Sequence, residues 1–216
     1  RSIPHTAGTY RFFDRGGRLL YVGKSKNLNR RVASYFVHDA KRSERRRAML
    51  ASLHRIDVEP TGSDLEAVLR EARDIRRHAP SVNVQRNTHA RSGHENRLRS
   101  ILILEPGTGN VVLRAYLIRD GRLVGRVGIG PRGGGLPRIE RVLEDRFFLA
   151  PDGPTPAAGP DLDVELVVRW LASNRDRVVA FDPTDLPSAR EVIDRLRWFL
   201  SHGGPFEPDG SPIRAR

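Results

Sequence analysis

Three of the chain's four tyrosines, Tyr10, Tyr21 and Tyr35, fall close together with Lys24 and Arg31 between the last two, and a helix further on carries Glu71. Phenols, two kinds of cation and a carboxylate suit phosphodiester hydrolysis. That reaction needs a nucleophilic water, a way to neutralise charge growing on the non-bridging oxygens, and help for the departing oxygen. A guanidinium can hold a phosphate by paired hydrogen bonds, and an ammonium adds a point charge. A phenol is a poor base at its usual pKa of about 10, but neighbouring cations would lower it. Any one of these tyrosines alone reads equally well as a core ring with its hydroxyl satisfied.

The elements that must position them can be read from the pattern. Thr9 to Phe13 and Leu19 to Val22 are apolar, aromatic and β-branched runs that bracket Asp14-Arg15-Gly16-Gly17, which predicts a hairpin. Alternation puts Tyr10 and Phe12 on one face, and Tyr21 with Gly23 on one face of the next strand. Asn27 is a good N-cap, and the spacing of Leu28, Val32, Tyr35 and Phe36 predicts a helix that stacks Arg31 and Tyr35 one turn apart. Ser63 and Glu66 read as a capping box, followed by a stripe of Leu65, Val68, Leu69, Ala72 and Ile75. Glu71 lies at the edge of that stripe, and the residues three and four positions away, Ala67, Val68, Asp74 and Ile75, carry no positive charge. Helix statistics alone would make it a solvated surface glutamate; the company of the tyrosines and cations argues otherwise.

The stretch Tyr21-Val22-Gly23-Lys24-Ser25-Lys26-Asn27-Leu28-Asn29-Arg30-Arg31-Val32-Ala33-Ser34-Tyr35-Phe36 resembles the second motif and following helix of the GIY-YIG endonucleases. The particular likeness is to the N-terminal domain of the UvrC excinucleases. Leu65-Glu66-Ala67 through Glu71 to His78-Ala79-Pro80-Ser81-Val82-Asn83 resembles that family's acidic helix and closing Pro-x-x-Asn. Each triplet alone is weak, but the ordered set with its spacing is specific. The resemblance covers Ala7 to Asn83, a little over a third of the chain. Thr9 departs from the usual Ile or Val, Ala7 stands where proline is common, and Arg86 to His94 do not match.

By this resemblance the site residues are Tyr10, Tyr21, Lys24, Arg31, Tyr35, Glu71 and Asn83. Glu71 is the implied ligand of one divalent ion, Mg²⁺ or Mn²⁺. Tyr21 is the implied general base, with Tyr10 the alternative, and Tyr10 and Tyr35 would orient water and phosphate.

Charge supports a nucleic-acid substrate. Residues 1–98 carry 21 Lys and Arg against 10 Asp and Glu, whereas residues 99–216 carry 17 against 16, so nearly all of the net +12 lies on the first part. Lys41, Arg42, Arg45, Arg46 and Arg47 open a predicted helix running to Leu53 and read as a phosphate-tracking surface, joined by Lys24, Lys26, Arg30 and Arg86. A solvated helix face is the plainer reading of such a run. Only three residues are lysine against 35 arginines, and two of the three, Lys24 and Lys26, lie in the motif segment.

The chain's 216 residues and 24.3 kDa allow two modest domains. There is no cysteine, which excludes disulfides and thiolate metal sites and fits a reducing cytoplasm. No apolar run is long enough to span a membrane and no signal peptide is visible. A start at Arg1, almost directly on the first motif, reads as a fragment or a trimmed chain.

The second half predicts strands at Ile101 to Leu104, Val111 to Ile118 and Arg122 to Val127, with a tight turn at Asp120-Gly121. A helix is expected over Leu136 to Phe148 and a Pro/Ala/Gly loop over Ala150 to Pro160. A helix over Leu162 to Ser173, a strand over Arg177 to Phe181 and a capped helix over Pro187 to Leu200 complete an α+β pattern. The cluster Gly128 to Gly135 faintly resembles a helix-hairpin-helix turn, though a strand-to-helix loop explains it as well. His89 and His94 lack matching metal ligands. Trp170 and Trp198 are expected in the core. The second nuclease domain, loader-binding segment and paired helix-hairpin-helix motifs of the resembled family are not recognisable.

The expectation is therefore an α/β GIY-YIG fold, a small three-stranded antiparallel sheet flanked by helices, over residues 1–96. An α+β accessory domain follows, made of a β-rich part at 97–149, a loop at 150–161 and a helical part at 162–216. The expected function is metal-dependent incision of one DNA strand in repair, with a repair loader or an associated nuclease domain as partner. A catalytically silent DNA-binding scaffold and a mobile-element or restriction-type nuclease are the alternatives; an apparently complete site disfavours the first, and the lack of a sequence-reading module disfavours the second.

Overall fold

The structure, a computed structural model, describes residues 2–37, 43–83, 100–107, 110–149 and 164–202. Lys41, Arg42, Arg86, His89, His94 and the Ala150 to Pro160 segment lie outside them. The chain divides into two compact units, Arg1–Arg91 and Ser92–Arg216.

In the first unit, β1 (Gly8–Phe13) and β2 (Leu19–Ser25) form the predicted hairpin, and β3 (Arg55–Pro60) pairs antiparallel with the other side of β1. The sheet order is β2-β1-β3, so the strand bearing Tyr10 is central. Side-chain alternation splits β1: Tyr10 and Phe12 point to one face, Thr9 and Arg11 to the other. On the tyrosine face, α1 (Leu28–Ala33) and α2 (Glu44–Ala51) contribute Leu28, Val32 and Met49 to a cluster with Tyr10, Phe12 and Tyr35. The other face meets α3 (Asp64–His78), where Asp74 accepts from Arg11 Nε at 3.1 Å and Nη2 at 2.5 Å. Arg11 also reaches Glu59 on β3 at 3.2 Å, and Arg70 of α3 pairs with the same Glu59, so ion pairs lash β1, β3 and α3 together.

The caps form as expected. Asn27 Oδ1 accepts from Arg30 N at 3.0 Å, and Ser63 Oγ accepts from Glu66 N at 3.1 Å. The Glu66 carboxylate closes the box one residue further out, accepting from Gly62 N at 3.1 Å. The helix after Asn27 is shorter than its apolar spacing predicts: it stops at Ala33. Tyr35 N and Phe36 N bond to carbonyls only three residues back, Val32 and Ala33. This tight turn buries Tyr35 to 3% exposure and leaves Phe36 60% exposed, so Phe36 does not extend the stripe.

The second unit has a four-stranded antiparallel sheet in the order β6-β5-β4-β7, with β4 Ser100–Pro106, β5 Leu113–Arg119, β6 Arg122–Ile129 and β7 Val179–Phe181. Asp120 and Gly121 both take positive φ, 48° and 71°, at the tight turn. Leu102, Leu104, Leu113 and Leu117 form a core with residues of α4 (Leu136–Leu143) and α6 (Ala189–Ser201); α5 spans Val164–Asn174.

Three expectations are corrected there. The helix expected through Phe148 widens at Leu143 into a π-helical turn, Glu144–Phe148, where Arg119 donates to the Arg146 carbonyl and its guanidinium sits 6.0 Å from the Phe147 ring centre. The strand expected from Arg177 begins at Val179, the first residue to find a partner on β4. Trp170 is buried at 7% exposure, but Trp198 is 46% exposed. It lies beside the buried stripe Val192, Ile193, Leu196 and Phe199 of α6, and it stacks on His202 at 4.4 Å.

The glycine cluster is a connection. Gly130 N donates to the Gly134 carbonyl and Gly133 N to the Gly130 carbonyl, which ties up amides that a phosphate would need. Gly135 has φ 102°, and a Cβ there would stand 2.3 Å from the Gly128 oxygen. No helix of the described residues is long and apolar enough to cross a membrane.

Candidate active site

The hairpin register sets Tyr10 opposite Gly23 and Phe12 opposite Tyr21, which brings the tyrosines of both strands to one face. Because Gly23 has no side chain, the Tyr10 ring lies across it. A Cβ there would be 2.4 Å from Tyr10 Cζ and Oη. Tyr35 enters from the turn after α1 and completes a triangle of phenols. Ring centres are 6.0 Å apart for Tyr10 and Tyr21, 5.8 Å for Tyr10 and Tyr35, and 6.3 Å for Tyr21 and Tyr35. Phe12 packs edge-on against Tyr35 at 4.9 Å and closes the floor.

The hydroxyls are linked. Tyr10 and Tyr35 share a 2.8 Å hydrogen bond, and Arg31 Nε donates to the Tyr10 oxygen at 3.1 Å. Tyr10 and Tyr35 are almost fully buried, at 1% and 3% exposure, whereas Tyr21 is only partly covered. Burial, then the neighbouring phenols Tyr21 and Tyr35, push the Tyr10 hydroxyl far above its usual range. Burial and Tyr35 also raise Tyr21, to about 12, with the negative charge of Glu71 adding to the rise. The Tyr10 hydrogen bond raises the Arg31 pKa further, against the opposing effect of burial.

This corrects one part of the expected chemistry. Tyr10 and Tyr21 are not made acidic: desolvation and phenol–phenol proximity raise both, and at Tyr10 they outweigh the Arg31 hydrogen bond. The two tyrosines have different surroundings. Tyr10 is enclosed, bonded to Tyr35 and Arg31 and the more strongly raised, while Tyr21 is half-buried, hydrogen-bonded to its phenol neighbours and feels the charge of Glu71.

Other predicted residues take varied positions. Lys24 and Lys26 flank Asp64 at the start of α3, at 4.0 Å and 3.6 Å. Arg30 is exposed on α1. Asn83 does not reach the phenols. Its side chain is buried and clamps the edge of β2, accepting from Val22 N at 2.9 Å and donating to the Val22 carbonyl at 2.9 Å. It is thus a positioning residue for the strand carrying Tyr21 and Gly23. Arg45 donates to the Ser81 carbonyl, Arg47 is exposed, and Arg46 places its guanidinium 4.4 Å from the Tyr35 ring centre. Sequence reasoning grouped these three arginines on one surface and missed that Arg46 belongs to the phenol cluster. Among the described residues no group of three or more His, Cys, Asp and Glu is arranged to hold a metal ion.

The first unit is similar in sequence to known proteins. Residues 6–84 match the family model described as the UvrC-like GIY-YIG domain. The "UvrABC system protein C" of Oleidesulfovibrio alaskensis is 43% identical over 82 residues, 38% of this chain and 12% of that protein. The protein of the same name from Aromatoleum aromaticum is 44% identical over 84 residues, 39% of this chain and 14% of that one. The chain thus spans only about an eighth of the length of these relatives. Among solved structures, the magnesium-bound GIY-YIG N-terminal endonuclease domain of UvrC from Thermotoga maritima is 26% identical. The match covers 38% of this chain and 86% of that one, with a TM-score of 0.34.

Proposed function

We propose that the UvrC-like GIY-YIG domain at residues 6–84 hydrolyses one strand of DNA as a metal-dependent endonuclease, in structure- or damage-directed repair. The observation that carries this reading is the phenol triangle of Tyr10, Tyr21 and Tyr35, with Arg31 on the Tyr10 hydroxyl and the Glu71 charge felt at Tyr21. The identity of about 40% to UvrABC system proteins over this domain supports it.

Glu71 is the residue that would hold a divalent ion, Mg²⁺ or Mn²⁺. One carboxylate suits a hard cation that keeps most of its waters. Bound there, the ion would supply charge neutralisation at the phosphate oxygens and help for the leaving 3′ oxygen. The chain's own residues do the rest. Arg31 is exposed, and only its Nε is engaged by Tyr10, so its remaining N–H groups can hold a phosphate. Lys24 adds positive charge from β2. Tyr21 Oη, in its phenolate form, takes the proton of the attacking water and becomes the neutral phenol, while Tyr10 and Tyr35, locked to each other, fix the floor on which water and phosphate are aligned. The accessory unit would select the DNA structure or engage a repair loader, and the work would be cytoplasmic.

The test is a nicking assay on supercoiled plasmid and on labelled nicked, flapped and damaged duplexes, with Mg²⁺, Mn²⁺ or EDTA. Wild type is compared with Tyr21→Phe and Glu71→Gln. Metal-dependent cutting lost in both variants, with DNA binding intact, is expected. Full activity in Glu71→Gln would sink the metal role, and DNA binding without cutting on any substrate would put a silent scaffold first.

A further inference from the structure

We propose that Arg46 and Arg31 form a two-guanidinium seat around Tyr35 that grips two successive phosphates of the bound strand. Arg31 holds the one that is cut and Arg46 the one beside it. This rests on the nuclease reading of the site and assigns Arg46 a contact of its own.

The three consecutive arginines of α2 have different surroundings. Arg45 is committed to the Ser81 carbonyl, and Arg47 is exposed to water. Arg46 is half-buried and lies over the Tyr35 ring at 4.4 Å, while Arg31 approaches the same ring at 5.3 Å. A guanidinium stacked on a ring uses its flat face and leaves its in-plane N–H groups for an anion. Arg46 Nε is buried with no hydrogen-bond partner. An orphaned charged donor is costly to bury, and an arriving phosphate oxygen would remove the cost.

Charge points the same way. Two guanidiniums share one ring, and neither pairs with a carboxylate among the described residues. Their mutual repulsion is relieved by an anion between or beside them. Tyr35 also touches the catalytic floor through its 2.8 Å bond to Tyr10, so a phosphate on Arg46 lies next to the reacting position. The plain alternative is that Arg46 merely covers Tyr35.

The experiment uses the full chain carrying Glu71→Gln, so that binding to a fluorescent DNA duplex is read without cutting, over roughly 50–200 mM salt. Adding Arg46→Gln should weaken binding about tenfold and lower the salt slope by about 0.9, the value of one phosphate contact. Arg46→Lys, which keeps the charge but loses the planar fork, should keep the slope and lose only about threefold in affinity. A slope unchanged in Arg46→Gln would overturn the proposal, as would an equal fall in Arg47→Gln, which would mean diffuse charge. Thermal melting of Arg46→Gln identifies a purely structural role, which would move the melting point and not the slope. Cleavage by the otherwise unchanged chain is scored separately. Its absence would sink the nuclease reading and leave the slope result standing, and a flat slope with normal cleavage would sink only the seat.

Discussion

The ring of Tyr10 occupies the space that a side chain on Gly23 would need: a Cβ there would stand 2.4 Å from Tyr10 Cζ. The two residues are cross-strand partners, so the glycine of the second strand exists to let the tyrosine of the first lie flat across it. Gly23→Ala should push Tyr10 off Tyr35 and Arg31, destabilise the domain by about 1–3 kcal/mol and cut activity at least tenfold. Thermal melting and the nicking assay check both parts.

Asn83 mimics a neighbouring strand, giving Val22 both of its missing backbone partners. Asn83→Ala should leave a buried N–H and C=O without partners and destabilise by about 2–3 kcal/mol. The loss of activity should follow the loss of order in β2, which hydrogen exchange at the Val22 amide would report. Asn83→Asp, which keeps only the accepting half, should fall between.

Thr9 Oγ1 is fully buried and has no hydrogen-bond partner, on the sheet face away from the phenols. Thr9→Val keeps the shape and removes the orphaned hydroxyl, so it should stabilise by about 1 kcal/mol. The melting point should rise by roughly 4–8 °C at unchanged cleavage rate. A fall in melting point would show that the hydroxyl has found water.

The raised Tyr21 pKa sets two pH dependences. At neutral pH the phenolate is the minority form, so a base role makes the cleavage rate climb with pH, up to about tenfold per unit, a climb that Tyr21→Phe should abolish. For stability, the unfolded phenol loses its proton near 10 while the folded one holds it to about 12. Stability is therefore fully present below pH 10 and falls between pH 10 and 12, by on the order of 2 kcal/mol from Tyr21. Melting temperature against pH measures it.

Local chemistry made much of the first unit legible. The Asp14 to Gly17 turn, the Asn27 cap and the Ser63–Glu66 pair each act within a few residues, and each is present. The third strand, Arg55–Pro60, was not named, although Ile56 and Val58 alternate with Arg55, Asp57 and Glu59: the run is short, half charged and closed by a proline, and it is only partly buried along its length. Neither was the position of Arg46, since which of three adjacent arginines meets Tyr35 depends on how α2 seats on the sheet. The π-helical turn after Leu143 was hidden too: the contact it makes with Arg119 comes from β5, distant in sequence. Roles also depended on surroundings. Residue types suggested acidic phenols, but burial, which sequence states poorly, reversed the direction.

The clamp on Val22 joins residues 61 positions apart. A growing chain has made both tyrosine strands and both short helices of the site long before Asn83 leaves the ribosome, and until then the outer edge of β2 has no backbone partner at Val22. The strand that carries Tyr21 and Gly23 is therefore completed on its outer edge by a residue from the far end of the same unit, so β2 is fully paired only once the whole of residues 8–83 is in place.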